Sequence, residues 1–179
     1  MPRIQPLNKD DAPEKSREKL EQVERMMGRV PNVLGTLAHS PSALEAYMNF
    51  SAALAGGAFS DAERELISLA ISESNGCNYC VAAHSAILGQ DAETARRARL
   101  GEADDPRMAA ALSLAKTLVE KRGWVDDASL GRAREAGLDD GGIVEVIALV
   151  AFNTLTNYTN HVAETQIDFP QVPATGTLG

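Results

Sequence analysis

Cys77, Cys80 and His84 carry the most chemistry for their spacing in this chain. They stand at i, i+3 and i+7, so a helix would place all three on one face. Asn75-Gly76 precedes them and reads as the stop of the helix before, which puts Cys77 at the N-terminus of a new helix. Unpaired backbone N–H groups there favour negative charge. A thiol in such a place ionises at neutral pH, and the thiolate is the reactive form. His84, one turn beyond Cys80, is placed to take a proton from a thiol or to hand one to a departing oxygen.

Three readings of the trio stay open on spacing alone. One is a pair of small buried cysteines beside a satisfied histidine. Another is a zinc-stabilised helical interaction module, with His161 or Glu65 completing four ligands. The third is a redox-active dithiol. Only two cysteines are present and they are local, which excludes a disulfide framework. No second Cys-x-x-Cys or His pair accompanies them, which favours the redox reading over zinc.

The elements that must hold these residues read as helices throughout, with no alternating strand pattern. Helices are expected from Asp11 to about Met27, Pro31 to Leu37, Ser40 to Gly56, and Ser60 to Asn75, the last opened by a Ser-x-x-Glu capping box (Ser60, Glu63). The dithiol helix follows to Gly89. Further helices are expected at 91–99, 105–122, 127–136 and about 140–161. Residues 1–10 form an extended lead-in and 168–179 an extended tail, so 1–179 is one all-α domain. Glu65 shares a helical stripe with Asp61, Ser68 and Ser72, which reads equally well as a solvated face. The segments around Glu65 and Glu145 echo each other faintly and align Asn157 and Asn160 with the two cysteines. Asn157, Tyr158, Asn160 and His161 form a polar cluster that lines a site or is satisfied locally. His39 reads as structural and Trp124 as a core or interface anchor.

The net charge of −8 leaves no basic stripe for phosphates and excludes a nucleic-acid partner. No signal core and no apolar run near 20 residues appear, so a cytoplasmic protein with no membrane partner is expected. The wide apolar arcs at 61–74 and 140–156 suggest a subunit interface.

The stretch ELISLAISESNGCNYCVAAH, Glu65 to His84, resembles the signature of the alkylhydroperoxidase D-like proteins of the carboxymuconolactone decarboxylase family. PNVLGTLAHSP and NYTNHVAETQIDFP resemble the peroxidase-related subgroup. The resemblance implies a multi-helix orthogonal bundle and a trimeric or hexameric homo-oligomer. It also implies a thiol-dependent peroxidase or disulfide oxidoreductase of antioxidant defence. Cys80 corresponds to the sulfur that attacks the hydroperoxide, Cys77 to the resolving partner, and His84 with Glu65 to a proton relay. No bound cofactor or metal is implied. The reductant is an external dithiol, of lipoyl type or from a peroxiredoxin system. Many alkylhydroperoxidases have a His between the cysteines, where this chain has Tyr79. The decarboxylase branch of the family lacks the cysteine pair, and lactone decarboxylation is the alternative activity.

Overall fold

The computed structural model describes residues 1–89 and 92–175, and among them every regular element is helical. In chain order these are α1 (Glu14–Met27), α2 (Asn32–Leu37), α3 (Pro41–Leu54), α4 (Asp61–Ser74), α5 (Asn78–Leu88), α6 (Ala92–Leu100), α7 (Pro106–Glu120), α8 (Asp127–Glu135) and α9 (Asp140–Ala163). Residues 176–179 of the expected tail lie outside the described residues.

The boundaries follow from local chemistry. Gly28 closes α1 in the left-handed conformation, at φ 73°. The Ser60 hydroxyl accepts the Glu63 N–H at 3.3 Å while the Glu63 carboxylate accepts the Ser60 N–H at 2.8 Å. This reciprocal cap is of a kind that contributes ~1 kcal/mol. Asp105, Asp126 and Asp139 cap α7, α8 and α9 in the same manner through their side chains.

The central element is α4. It packs against α5, α6, α7 and α9, and Ile67, Leu69, Ala70 and Ile71 are fully buried there. Its apolar arc is therefore consumed within the chain, which corrects the expectation that α4 helps form a subunit interface. On α9 the chain covers only part of the apolar arc. One face enters the core through Val146, Leu149, Asn153 and Asn157. The opposite face carries Val144, Ile147, Leu155, Tyr158 and Val162, between 38 and 63% exposed, and exposed Ala151 continues the helical spacing between Ile147 and Leu155. By length and hydropathy α9 also meets the requirement of a membrane span. Its buried face, with three buried asparagines, is that of a core helix. Trp124 is 83% exposed and anchors nothing in the core.

Two apolar clusters result. The larger is built around α4, α7 and the first half of α9. The smaller joins α1, α2 and α3 to Cys77, Tyr79 and Cys80, with Ile167 and Phe169 of the C-terminal segment packed on it. The cysteine pair belongs to this second cluster, beside α9. Leu20 and Leu44, both fully buried, are its principal aliphatic contributors. Burying such side chains contributes roughly 1.5–3 kcal/mol each.

Candidate active site

Cys77 is positioned by the ending of α4. Gly76 adopts φ 68°, its N–H donates to the Glu73 carbonyl at 3.0 Å, and the Cys77 N–H donates to the Ser72 carbonyl at 2.9 Å. This pair of bonds is a Schellman closure, and it requires a left-handed residue where Gly76 stands. The chain re-enters helix at once, so Cys77 is the residue that caps α5. Cys80 lies one turn inside α5. The pair comes within 3.0 Å as two free thiols. Both are buried, at 1 and 3% exposure.

Cys77 is activated chiefly by its neighbouring thiol, with the helix start contributing one amide. Its pKa is lowered to about 6. The chief cause is donation from the Cys80 thiol, opposed by burial and helped by the Cys80 amide, the charge of His161 and the Asn160 amide. Cys80 is shifted the other way, because it holds the shared proton and is buried beside a negative sulfur. The pair thus carries one charge, resting on Cys77 in the reduced form.

Asn160 binds the pair from α9. Its Nδ2 donates to Cys80 Sγ at 3.2 Å and lies 3.9 Å from Cys77 Sγ. Asn157, one turn earlier, accepts a hydrogen bond from Asn75 Nδ2 at 2.7 Å, and it too favours ionisation of Cys80. The faint sequence echo had aligned these asparagines with the cysteines. The structure places Asn160 in direct contact with them.

His84 and Glu65 meet as well. Glu65 Oε2 lies 2.7 Å from His84 Nδ1, with both side chains largely buried. Burial pulls the imidazole pKa down, but the Glu65 carboxylate outweighs it and the net shift is upward. Glu65 is therefore not part of a solvated face, and its stripe-mates Ser68 and Ser72 are buried. Glu65 engages Nδ1, and the Asn153 side chain also favours the charged ring. The raised pKa favours an imidazolium, a proton donor rather than a base.

Cys80 and His84 share an apolar cavity of about 70 Å³, walled by Tyr47, Tyr79, Phe152 and Phe169 among others. Tyr47 stacks on Phe152 with centroids 4.9 Å apart, and burial pushes its hydroxyl pKa up to about 12, so it stays a donor. Its approach to α5 comes from the packing of α3 on α9, for which no local signal exists. Tyr79 is held by the C-terminal segment. Its hydroxyl donates to Asp168 Oδ1 at 2.7 Å and accepts the Val33 N–H at 3.1 Å. Asp168 also pairs with Arg29, whose guanidinium lies 4.3 Å from the Phe169 ring centroid. His161 stands on the other side of the pair, beside Cys77. Among the described residues no three His, Cys, Asp or Glu side chains converge as metal ligands. His39 bonds the Gln5 carbonyl at 2.9 Å, as a structural residue does.

Comparison with known proteins agrees with this geometry. The model of the carboxymuconolactone decarboxylase family matches residues 41–117. The chain is similar to a peroxidase-related protein of Ralstonia eutropha JMP134, described as an alkylhydroperoxidase AhpD core. The two are 30% identical over 92% of this chain and 93% of that one, with a TM-score of 0.81. A peroxidase-related protein of Silicibacter sp. TM1040 is 24% identical, covers 92% of each chain and has a TM-score of 0.77. The debrominase Bmp8, solved with 2,3,4-tribromopyrrole, is 20% identical over 93% of this chain and 91% of that one, also at 0.77. The last two share the fold. No curated protein matches the sequence. By sequence identity across nearly its whole length, and by its helical fold, the chain belongs to the alkylhydroperoxidase D-like group of the carboxymuconolactone decarboxylase family.

Proposed function

We propose that the protein is a thiol-dependent peroxidase that reduces an organic hydroperoxide at Cys80 and is recycled by an external dithiol. The observation that carries this reading is the apolar cavity onto which Cys80 and the Glu65–His84 pair both open. Its apolar lining suits the carbon chain of a hydroperoxide.

The reaction begins with transfer of the Cys80 proton across the 3.0 Å gap to Cys77, which moves the charge to the cavity side. Asn160, nearer to Cys80 Sγ than to Cys77 Sγ, steadies it there. The Cys80 thiolate attacks the distal peroxide oxygen and the O–O bond breaks. The alkoxide leaves as the alcohol, taking its proton from His84, which Glu65 orients. Cys77 then attacks the Cys80 sulfenic acid. A disulfide forms and water departs with the Cys77 proton. In sum, one dithiol and one hydroperoxide give one disulfide, one alcohol and one water. No cofactor takes part.

Titration of free thiols tests the reading. One equivalent of cumene hydroperoxide is expected to remove both thiols within a single turnover and to lower the mass by two protons, reversibly with dithiothreitol. Retention of two free thiols, or irreversible oxidation of Cys80 alone, refutes it. Loss of activity on prior alkylation separates this chemistry from lactone decarboxylation, which needs no thiol.

The exposed apolar stripe of α9 supports a closed homo-oligomer, a trimer or hexamer by analogy with the family. We place the protein in the cytoplasm, where a dithiol of this kind is kept reduced.

A further inference from the structure

The dithiol is approached from two sides. Cys80 lines the apolar cavity and Cys77 does not. Cys77 lines a different pocket, of about 320 Å³, and Cys80 does not line that one. The second pocket is the more polar of the two. Asn78, Asn160, His161, Glu164 and Thr165 form most of it. Tyr79 lies at the edge of both and, pinned to Asp168 and Val33, stands as a partition between them.

From this geometry we infer that electrons and peroxide enter by separate mouths, and that the polar mouth at Cys77 is the binding site of the reducing dithiol. The inference rests on the proposed thiol chemistry and names where its reductant binds.

The character of the mouth fits such a ligand. Cys77 is only 1% exposed, so it sits at the floor and a flat protein surface cannot touch it. A slender thiol-bearing arm can. The walls offer amide, hydroxyl and imidazole groups, which suit a polar arm, whereas the cavity on the other side is walled by rings and aliphatic groups. The wide polar opening suits a ligand that must enter, react twice and leave.

The exchange balances with a dithiol alone. One thiolate of the reductant attacks Cys77 Sγ, the Cys77–Cys80 bond breaks, and Cys80 departs as a thiolate that takes up a proton. The second thiol of the reductant attacks its own sulfur in the mixed disulfide. Cys77 leaves as a thiolate and the reductant departs as a cyclic disulfide. Two electrons pass to the protein, one of the reductant's protons goes to Cys80 and the other to solvent, and Cys77 keeps the negative charge. The second step needs Cys77 to be a good leaving group. Its seat at the helix start, beside His161 and within 3.9 Å of the Asn160 amide, makes it one.

Two substitutions separate the mouths. Asn78 is exposed at the polar rim and is replaced in Asn78→Trp. Ala83 lines the apolar cavity and is replaced in Ala83→Trp, with Ile87→Trp, at the exposed rim of that cavity, in reserve should Ala83→Trp not fold. Two single-turnover rate constants are measured for each: reduction of the diamide-formed disulfide by dithiothreitol, and oxidation of the reduced protein by cumene hydroperoxide. Asn78→Trp is expected to lower the ratio of reduction to oxidation rates by at least tenfold, and Ala83→Trp to raise it by at least tenfold. A ratio unchanged in both variants, or moved the same way by both, overturns the proposal. The disulfide is made with diamide, so the reduction arm of Asn78→Trp decides the mouth even if cumene hydroperoxide oxidises nothing. In that event the peroxidase reading fails and a tenfold slower reduction still upholds the polar mouth, whereas unchanged reduction overturns it.

Discussion

Replacement of Glu65 by Gln probes the mechanism most directly. Glu65 Oε2 and His84 Nδ1 are 2.7 Å apart, with 22 and 16% of their side chains exposed. Two full charges at that distance would attract by ~6 kcal/mol at an effective dielectric of about 20. Desolvation of the imidazolium cancels much of this. A charge-assisted hydrogen bond retains roughly 1.5–3 kcal/mol. Glu65→Gln removes that bond and should lower the His84 pKa. The imidazolium is then less populated, and donation to the departing alkoxide falls in proportion. Positioned proton transfer typically contributes ~10²–10⁴-fold. We expect a loss of at least tenfold in the rate of Cys80 oxidation for Glu65→Gln and for His84→Gln, and a double variant less impaired than the product of the two. The assay is single-turnover oxidation by cumene hydroperoxide with an NMR titration of the His84 ring. An unchanged rate in Glu65→Gln, with its His84 pKa lowered as expected, would show that the ion pair orients nothing of consequence. Unchanged rates in both variants would leave thiol activation at the helix start as the sole source of reactivity.

Other outcomes follow from the same geometry. Asn160→Leu removes the amide that reaches both sulfurs, so the Cys77 thiol pKa, read by thiolate absorbance, should rise and oxidation should slow; an unmoved titration would refute a role in charge placement. Gly76→Ala forces a left-handed alanine into an otherwise open turn and should cost ~1–2 kcal/mol in denaturant melts, while an unchanged midpoint would deny that the turn is strained. Alkylation of the reduced protein should follow a titration near pH 6 at Cys77, and a midpoint above 8 would contradict activation by the Cys80 thiol. The lowered Cys77 pKa contributes stability that is full above the pKa of an unfolded thiol and is lost as pH falls through about 6. The raised His84 pKa acts oppositely, contributing below about 6.5 and fading as pH rises through its folded value. Ile147→Lys in the exposed α9 stripe should give the 19.1 kDa monomer by light scattering, and a wild-type protein that is already monomeric would remove the case for an interface.

Much of the site was legible in the sequence because its signals are local. The capping box at Ser60, Asn75-Gly76 as a helix stop, and the spacing of Cys77, Cys80 and His84 all act within one or two turns, where backbone hydrogen bonding alone dictates the outcome. Helix ends fell within a few residues of their expected places for the same reason. The resemblance supplied the roles of Glu65 and of the two cysteines, which spacing did not. What tertiary structure decided is everything that depends on which face of a helix meets which neighbour. Glu65 sat on a stripe that could have faced water, and only the close packing of α4 on α5 turned it toward His84. Trp124 could have been an anchor, yet it stands in a turn beyond the end of α7 with nothing folded over it. Asn160, 80 residues from Cys80 in the chain, reaches both sulfurs because α9 lies against α5. Helical periodicity says how wide an apolar arc is but not what covers it. On α4 the chain itself covers the arc, and on α9 one face is left open. The division of the dithiol between an apolar cavity and a polar mouth arises likewise from chain-distant contacts, with Asp168 drawing the C-terminal segment over Tyr79.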